Sequence, residues 1–428
     1  MDIERVNDIQ TAVMSERDRA AALFDQLRQD GLDEPGVSRD SYGAGEQRAH
    51  VTMADAAHSL DLEITRDHAA NLYMTLPGRD RAARRVMIGS HLDSVPHGGN
   101  FDGAAGVVAG LAAIAALRRL GFQPRCDITV MGIRAEESIW FQVSYIGSRA
   151  ALGTLGAGAV DVRRIDTGRT LADHIHDCGG DPAAVRRGHR HLDPASLLAY
   201  LELHIEQAPS LAAAGAPVGI CTGIPGNFRY PNARIEGSTD HVGLPRRFRH
   251  DAAMAGAEFA MALDAVWEEH EARGIPMAAT IGRFHTDAAS HGLTIVPGAF
   301  NFSLDVRAYD EAVLAGLEQH VIAIMAGIEQ RRGVRFHPGE TARAAVGRCD
   351  PAIIAGLEAG AVALGLRHFP LGSPASHDAA AFAASGVPIG MIFIRNEHGS
   401  HNPREFMHID DFLAGTAVLA HWMIEHLT

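Results

Sequence analysis

The stretch from Gly103 to Leu120 constrains this chain more than any other, because it is apolar nearly all the way round a helical wheel. A helix without a polar face has to be covered on every side, so it belongs inside a layered fold. Asp102 falls at its N-cap position, a residue type that satisfies the free N–H groups of a helix start. Short apolar runs flank the helix, Val86 to Gly89 before it and Ile128 to Ile133 after it, each suited to a buried strand. Strands alternating with buried helices predict an α/β fold whose parallel or mixed sheet is sandwiched by helices. The chain has 428 residues, 46% of them hydrophobic. At roughly 150 residues per domain that means two or three domains, with ample material for a core.

The texture changes near Ala213, where Gly215, Pro217, Gly223, Pro225 and Gly226 crowd together. Strand-like Asn232 to Glu236, a helix from Asp251 to Ala272, strands at Ala278 to Phe284 and Ala299 to Ala308, a helix from Glu311 to Arg331 and a strand at Val334 to Phe336 follow. Two helices interleaved with about four strands predict a small ferredoxin-like α+β domain. Strand and helix alternation of the first kind resumes at Pro351. The expected division is therefore a catalytic domain of residues 1–212 and 333–428, interrupted by an inserted domain of residues 213–332.

Lys and Arg number 38 against 52 Asp and Glu, a net charge of −14, with no block of like charges. Such a surface repels phosphate backbones and anionic lipid, so neither nucleic acid nor a membrane is expected as partner. Cys126, Cys178, Cys221 and Cys349 lie far apart, without the spacing of a disulfide framework. Residues Met1 to Gln10 lack the basic and apolar regions of a signal peptide, and the expected location is the cytoplasm.

Open α/β sheets bind ligands outside the carboxyl ends of their strands, so His, Asp and Glu residues just after predicted strands deserve collecting. His91 and Asp93 follow the first strand, and Asp102 closes the Gly-rich turn beyond. Glu136 and Glu137 follow the second strand, His204 lies on the polar face of Leu201 to Gln207, and His401 follows the strand Val387 to Ile394. His91 and Asp93 are two apart in extended chain and share a face, so the carboxylate can hold the imidazole from behind. Asp102, with two oxygens, can bridge two metal ions about 3.5–4 Å apart. Taken singly, each residue also fits a plain N-cap, a solvated pair or a turn; the combination of ligand types and strand-end placement points to a dinuclear metal centre.

These motifs resemble the M20 family of metallohydrolases, in particular the branch of N-carbamoyl-L-amino acid hydrolases, β-ureidopropionases and allantoate amidohydrolases. Ser90-His91-Leu92-Asp93-Ser94-Val95, Gly98-Gly99, Asp102-Gly103, Glu136-Glu137 and Gly147-Ser148 carry the likeness in the first third of the chain. Glu202-Leu203-His204-Ile205-Glu206-Gln207 is its branch-specific piece, and Val296-Pro297-Gly298, Asp305-Val306-Arg307, His377-Asp378-Ala379 and Ser400-His401-Asn402-Pro403 extend it toward the C-terminus. The resemblance implies a homodimeric hydrolase of a linear amide C–N bond, acting on a small N-carbamoyl or N-acyl amino acid with a carboxylate. It implies two divalent ions, with zinc favoured and Mn, Co or Ni open: His91 and His204 on one, Glu137 and His401 on the other, and Asp102 on both. Glu136 would be the general base, Asp93 part of the catalytic set, and His241 the oxyanion-stabilising histidine, supplied by the inserted lid and dimerisation domain of the partner subunit. Arg307 would grip the substrate carboxylate, with Gln207 and His377 as further pocket residues.

Departures from the family pattern concentrate in the substrate pocket. Ser138 and Trp140 stand where the family carries Gly and Arg, Thr294 where it carries Asn, and Ala208 and Ser376 where it carries Gly. Trp140 in place of a cation favours a larger or more apolar substrate, and Thr294 speaks against simple transfer of allantoate or β-ureidopropionate specificity. Two other readings stay open at this level: a dipeptidase or aminopeptidase of the same superfamily, and a catalytically silent metal-binding or small-molecule-binding protein.

Overall fold

The structure, a computed structural model, describes residues 3–428. In chain order it runs through helix α1 (Ala44–Ser59), strands β1 (Glu63–Arg66), β2 (Leu72–Leu76) and β3 (Arg85–His91), helix α2 (Ala104–Arg119), and strands β4 (Ile128–Ile133), β5 (Leu197–Ile205) and β6 (Val218–Cys221). Next come β7 (Gly226–Glu236), α3 (Ala252–Ala272), β8 (Met277–Thr280), β9 (Ala299–Ala308), α4 (Glu311–Arg332) and β10 (Arg335–His337). The last segment holds α5 (Pro351–Ala363), β11 (His368–Leu371), β12 (Ile389–Ile394) and α6 (Ile409–His426).

The chain divides into two compact units, one of residues up to Ile224 together with Arg348–Thr428, the other Pro225–Gly347. The expected boundaries at 212/213 and 332/333 are thus displaced C-terminally. At the first, β6 joins the sheet of the larger unit by pairing antiparallel with β12. At the second, β10 and Ala342–Ala344 both pair with β7, which keeps them in the inserted unit.

The larger unit is built on an eight-stranded sheet in the order β11-β6-β12-β5-β3-β4-β2-β1. Its centre, β12-β5-β3-β4, is parallel, while β2 and β1 run antiparallel at one side. Parallel strands need cover on both faces, and β3 shows why these residues suit that position. Val86 and Ile88 enter one core with Val107, Leu111 and Ile114 of α2 and Val418 of α6, whereas Met87 enters the other with Tyr200, Phe382 and Phe393. Every residue of α2 from Ala104 to Leu117 is buried, as its unbroken apolar sequence demands.

In the inserted unit the sheet order is β8-β9-β7-β10, antiparallel throughout. Its chain order β-α-β-β-α-β is that of a split βαβ sandwich. One face packs on α3 and α4 through Phe228, Tyr230, Phe259, Phe302, Leu304, Leu317 and Val321. Strand β7 begins earlier than the sequence suggests, at Gly226, with a register shift between Tyr230 and Ala233 around Pro231. The helix α4 is long and apolar enough by composition to cross a membrane, yet it packs on this sheet through Leu314, Leu317, Val321, Met325 and Ile328.

Candidate active site

The four parallel strands of the larger unit end side by side, and each delivers part of one cluster. His91 is the last residue of β3, and His204 precedes the last residue of β5. Glu136 and Glu137 follow β4, and His401 follows β12. Asp102 lies between β3 and α2 but does not cap the helix: the cap residue is Gly103, with no side-chain cap bond. The expected N-cap role is therefore corrected, and the Asp102 carboxylate is directed at three histidines instead. Its Oδ1 lies 3.5 Å from His91 Nε2 and 3.2 Å from His204 Nε2, and its Oδ2 lies 3.2 Å from His401 Nε2. Glu137 Oε1 lies 3.5 Å from that same His401 nitrogen.

Gly103 permits this approach. Its φ is +65°, and a Cβ there would stand 2.5 Å from Nδ1 and Cε1 of His91. Ala135, Gln207 and His401 also hold positive φ, at 52°, 63° and 59°. Such backbone persists where surrounding contacts over-determine it, as at binding sites.

Asp93 is fully buried and organises two of the strand ends at once. Its carboxylate accepts the Ser41 hydroxyl at 2.5 Å and the backbone N–H groups of Glu136 and Glu137, each at 3.1 Å. The same group lies 3.3 Å from His91 Nδ1. Asp93 thus acts through His91 and the Glu pair, as a positioning residue. Behind that pair, Glu46 of α1 accepts the Ala135 N–H at 2.8 Å and the Arg134 guanidinium at 2.9 Å, an ion pair buried on both sides.

The donor set suits divalent metal. His91 Nδ1 lies 3.0 Å from the Asp93 carbonyl and His204 Nδ1 lies 2.8 Å from the Ile205 carbonyl. With the proton on Nδ1, Nε2 of each ring is turned to a carboxylate oxygen, a contact satisfied either by a second ring proton or by a metal ion held between the two. Tetrahedral coordination with bonds of about 2.0–2.1 Å puts neighbouring ligand atoms about 3.3 Å apart. Two separations in each trio, His91-Asp102-His204 and Asp102-Glu137-His401, are 3.2 and 3.5 Å and bracket that spacing, and all ligand atoms of a trio lie within 4.8 Å of one another. Glu202, His204 and His377 form a third close group.

The electrostatics carry the same message. Hydrogen bonding to Asp102 raises His401 to about 9, against the opposing effect of burial. Burial opposes the Asp102 carboxylate, yet the bonds to His204, His401 and His91 outweigh it and hold its pKa well below the usual range. Burial and neighbouring Asp102 push Glu137 up to about 7. Glu136 is raised well above the ordinary range by burial, and by Glu137, Asp378 and Asp93 against the pull of His91. Among the described residues no hydrogen bond reaches the Glu136 carboxylate.

The expected pocket residues are placed as follows. Gln207 donates from Nε2 to Asp102 Oδ2 at 2.9 Å, and its Oε1 is buried without a partner. His377 is buried with its ring 4.4 Å from that of His204 and its Nε2 2.8 Å from Ser373 Oγ. Trp140 is 7% exposed, its indole N–H donates to the Ser94 carbonyl at 2.9 Å, and the Arg164 guanidinium covers its ring at 4.9 Å. The indole is thus tied to the backbone at Ser94 and largely covered. His241, Thr294 and Arg307 belong to the inserted unit. There His241 pairs with Ile295, its Nδ1 accepts the Gly243 N–H at 3.1 Å, and the Thr294 carbonyl accepts the Val242 N–H at 2.9 Å. Arg307 forks onto Asp305 at 3.0 and 3.2 Å, and Arg229 reaches the same carboxylate at 2.7 Å.

The sequence reading missed Ser41, Glu46 and Arg134 behind the Glu pair, and Arg39, Ser400 and Glu405 around Asp102. Ser400 stands beside the candidate ligand His401, which is a signal; Ser41 carries none, and the others none beyond being charged residues.

Fold and cluster together define a metal-dependent hydrolase with its site at the carboxyl ends of a mixed sheet. The sequence profile of Peptidase family M20/M25/M40 matches residues 87–425, and the chain belongs to that family as an amidohydrolase. It is 34% identical over 388 residues to an N-carbamoyl-L-amino acid amidohydrolase of Geobacillus stearothermophilus, covering 90% of this chain and 92% of that protein. It is 27% identical to an allantoate amidohydrolase of Bacillus subtilis, over 87% and 88% of the two chains. A crystal structure of a hydantoinase/carbamoylase family amidase from Burkholderia ambifaria superposes with a TM-score of 0.83 at 27% identity, covering 96% of this chain and 98% of the other.

Proposed function

We propose that this chain hydrolyses the linear amide C–N bond of an N-carbamoyl or N-acyl amino acid, using two divalent ions, zinc by preference. The observation that carries the reading is the pair of ligand trios sharing Asp102 at tetrahedral spacing. His91, His204 and Asp102 would hold one ion, and Asp102, Glu137 and His401 the other. Ions bound there would acidify a water and draw electron density from the scissile carbonyl. Glu136 takes the proton of that water on its carboxylate and passes it to the leaving nitrogen. Its freedom from hydrogen bonds leaves both oxygens available for the transfer.

His241 accepts at Nδ1 and so keeps its proton on Nε2, ready to donate to the oxyanion of a tetrahedral intermediate. Arg307, oriented by its two bonds to Asp305, would meet the substrate carboxylate with its guanidinium. The inserted unit acts as lid and dimerisation domain in this proposal, His241 coming from the partner subunit. A second copy is supported by the outer face of α3, where Met254 and Met261 are 51% and 69% exposed beside exposed Ala257 and Ala265. Four unpaired cysteines are in keeping with the cytoplasm.

The test is mass-spectrometric turnover of a pooled panel of N-carbamoyl amino acids, allantoate, N-acetyl and aromatic N-acyl amino acids and dipeptides, after reconstitution with Zn or Mn. Loss of a ureide or acyl member with wild type, and none with Glu136→Gln, is the expected result. Cleavage of dipeptides alone, or equal turnover by the Gln variant, overturns the reading.

A further inference from the structure

We infer that Arg39 and Glu405, far apart in sequence, form a two-sided clamp that fixes the direction of the Asp102 carboxylate, each as a positioning residue. The inference rests on the metal-site reading above and goes beyond it to residues outside the ligand set.

Every polar group of Asp102 except Oδ1 is held from outside the ligand set. Its N–H, with that of Phe101, donates to Glu405 Oε1 at 3.2 and 2.9 Å. Its carbonyl accepts from Arg39 Nη2 at 3.3 Å. Its Oδ2 is met by Ser400 Oγ at 2.8 Å and Gln207 Nε2 at 2.9 Å. Ser400 Oγ in turn lies 2.6 Å from Glu405 Oε2; its single O–H serves one carboxylate at a time, so Glu405 holds the Asp102 backbone through Oε1 and sets the place of the Ser400 hydroxyl beside Oδ2. Glu405 fits against Gly99 so closely that a Cβ there would stand 2.2 Å from its carboxyl carbon. What remains is Oδ1, turned to His91 and His204.

Arg39 works on the other side. Its guanidinium is buried, and its side-chain bonds go to neutral acceptors: the Leu92 carbonyl at 2.8 Å, Asn100 Oδ1 at 3.2 Å and the Asp102 carbonyl. Asn100 is anchored further by donating to the Phe24 carbonyl at 2.8 Å. The Arg39 main chain exchanges bonds with Ser94, its N–H reaching Ser94 Oγ at 2.9 Å and its carbonyl accepting the Ser94 N–H at 2.9 Å. One planar fork thus ties the segment after His91 to the segment that ends in Asp102. A lysine at 39 would keep the charge and lose the fork, which separates geometry from electrostatics.

The experiment measures ion affinity by zinc titration against a chromophoric chelator, with no substrate present, for wild type, Arg39→Lys, Glu405→Ala, Glu405→Gln and Ser400→Ala, alongside thermal unfolding of each metal-free protein. Arg39→Lys and Glu405→Ala are expected to weaken binding by about 10- to 100-fold, the range for partners that orient metal ligands. Glu405→Gln keeps an acceptor for the two N–H groups and should rescue most of the loss. Ser400→Ala is half-buried and tests the side-chain arm without threatening the fold; a smaller loss in the same direction is expected. Wild-type affinity in Arg39→Lys, or in both Glu405→Ala and Ser400→Ala, overturns the clamp while leaving the hydrolase reading standing. A wild-type protein that binds no zinc overturns both.

Discussion

Replacing Gly103 by alanine puts two separable costs on one position. The first is conformational: φ is +65°, and positive φ costs an L-residue roughly 1–2 kcal/mol. The second is steric: the new Cβ would lie 2.5 Å from Nδ1 and Cε1 and 2.6 Å from Cδ2 of His91. Ordinary carbon contacts are about 3.5–4.0 Å, so the imidazole has to retreat by about 1 Å. Metal ligands need placement to about 0.5 Å, so a displacement of that size should weaken zinc binding by at least about tenfold. Gly121 provides the control, since its φ is also +65° but nothing lies within 4 Å of a Cβ built there. Gly121→Ala should therefore lose about 1–2 kcal/mol in denaturant unfolding of the metal-free protein and Gly103→Ala more than that, while only Gly103→Ala loses zinc in chelator competition. Wild-type zinc affinity in Gly103→Ala, or an equal loss in Gly121→Ala, refutes the claim that the close approach of His91 is what the glycine serves.

Other outcomes follow from the same geometry. Asp93→Asn exchanges an acceptor oxygen for an N–H₂ group facing N–H and O–H donors; urea unfolding should show a loss of about 1–3 kcal/mol for each buried group left unpaired. His241→Ala should lower kcat by about 10²- to 10³-fold, the usual cost of one oxyanion donor, with an unchanged unfolding midpoint. Among the described residues neither buried ring nitrogen of His50 has a partner, and burial, with Arg134 and Arg66 nearby, holds its pKa well below 6.5. The unfolded chain binds that proton first, so the stability it contributes is complete above pH 6.5 and is lost as pH falls below it. His50→Leu should flatten this part of the pH dependence of Tm, and an unaltered slope would show that other groups govern it.

The residues that the structure gathers around Asp102 were legible because their chemistry is written locally. His91, Glu137, His204 and His401 each sit at the end of an apolar run, and the run announces the strand that carries them. The apolar wheel of α2 likewise fixed its burial. Asp102 was legible as a residue and misleading as a cap, because Asp before an apolar run signals an N-cap in most settings, and only the packing of Gly103 on His91 moves the cap one residue along. Trp140 shows a different limit: a sequence departure marks a changed environment without telling which way the ring faces. Arg39 and Glu405 stood outside any motif, since a single charged residue acquires meaning only from partners distant in the chain, 63 and 303 residues away in the bonds to Asp102. The unit boundaries slipped for a related reason, as the short strand β6 is defined by pairing with β12, which the local pattern around Val218 cannot reveal.

The place of β12 in the sheet has a bearing on how the molecule comes into being. It lies between β5 and β6, pairing with both, although the ribosome delivers those two strands before the whole inserted unit and β12 only after it. Until residues 389–394 emerge, β5 and β6 present unpaired backbone along apolar edges, the condition that invites strand capture by other chains. His204 and the Glu pair are then in hand while His401 is not, so a nascent chain holds only part of the candidate site. The last strand of the sheet's centre and the last residue of the candidate site thus arrive together, seven residues apart.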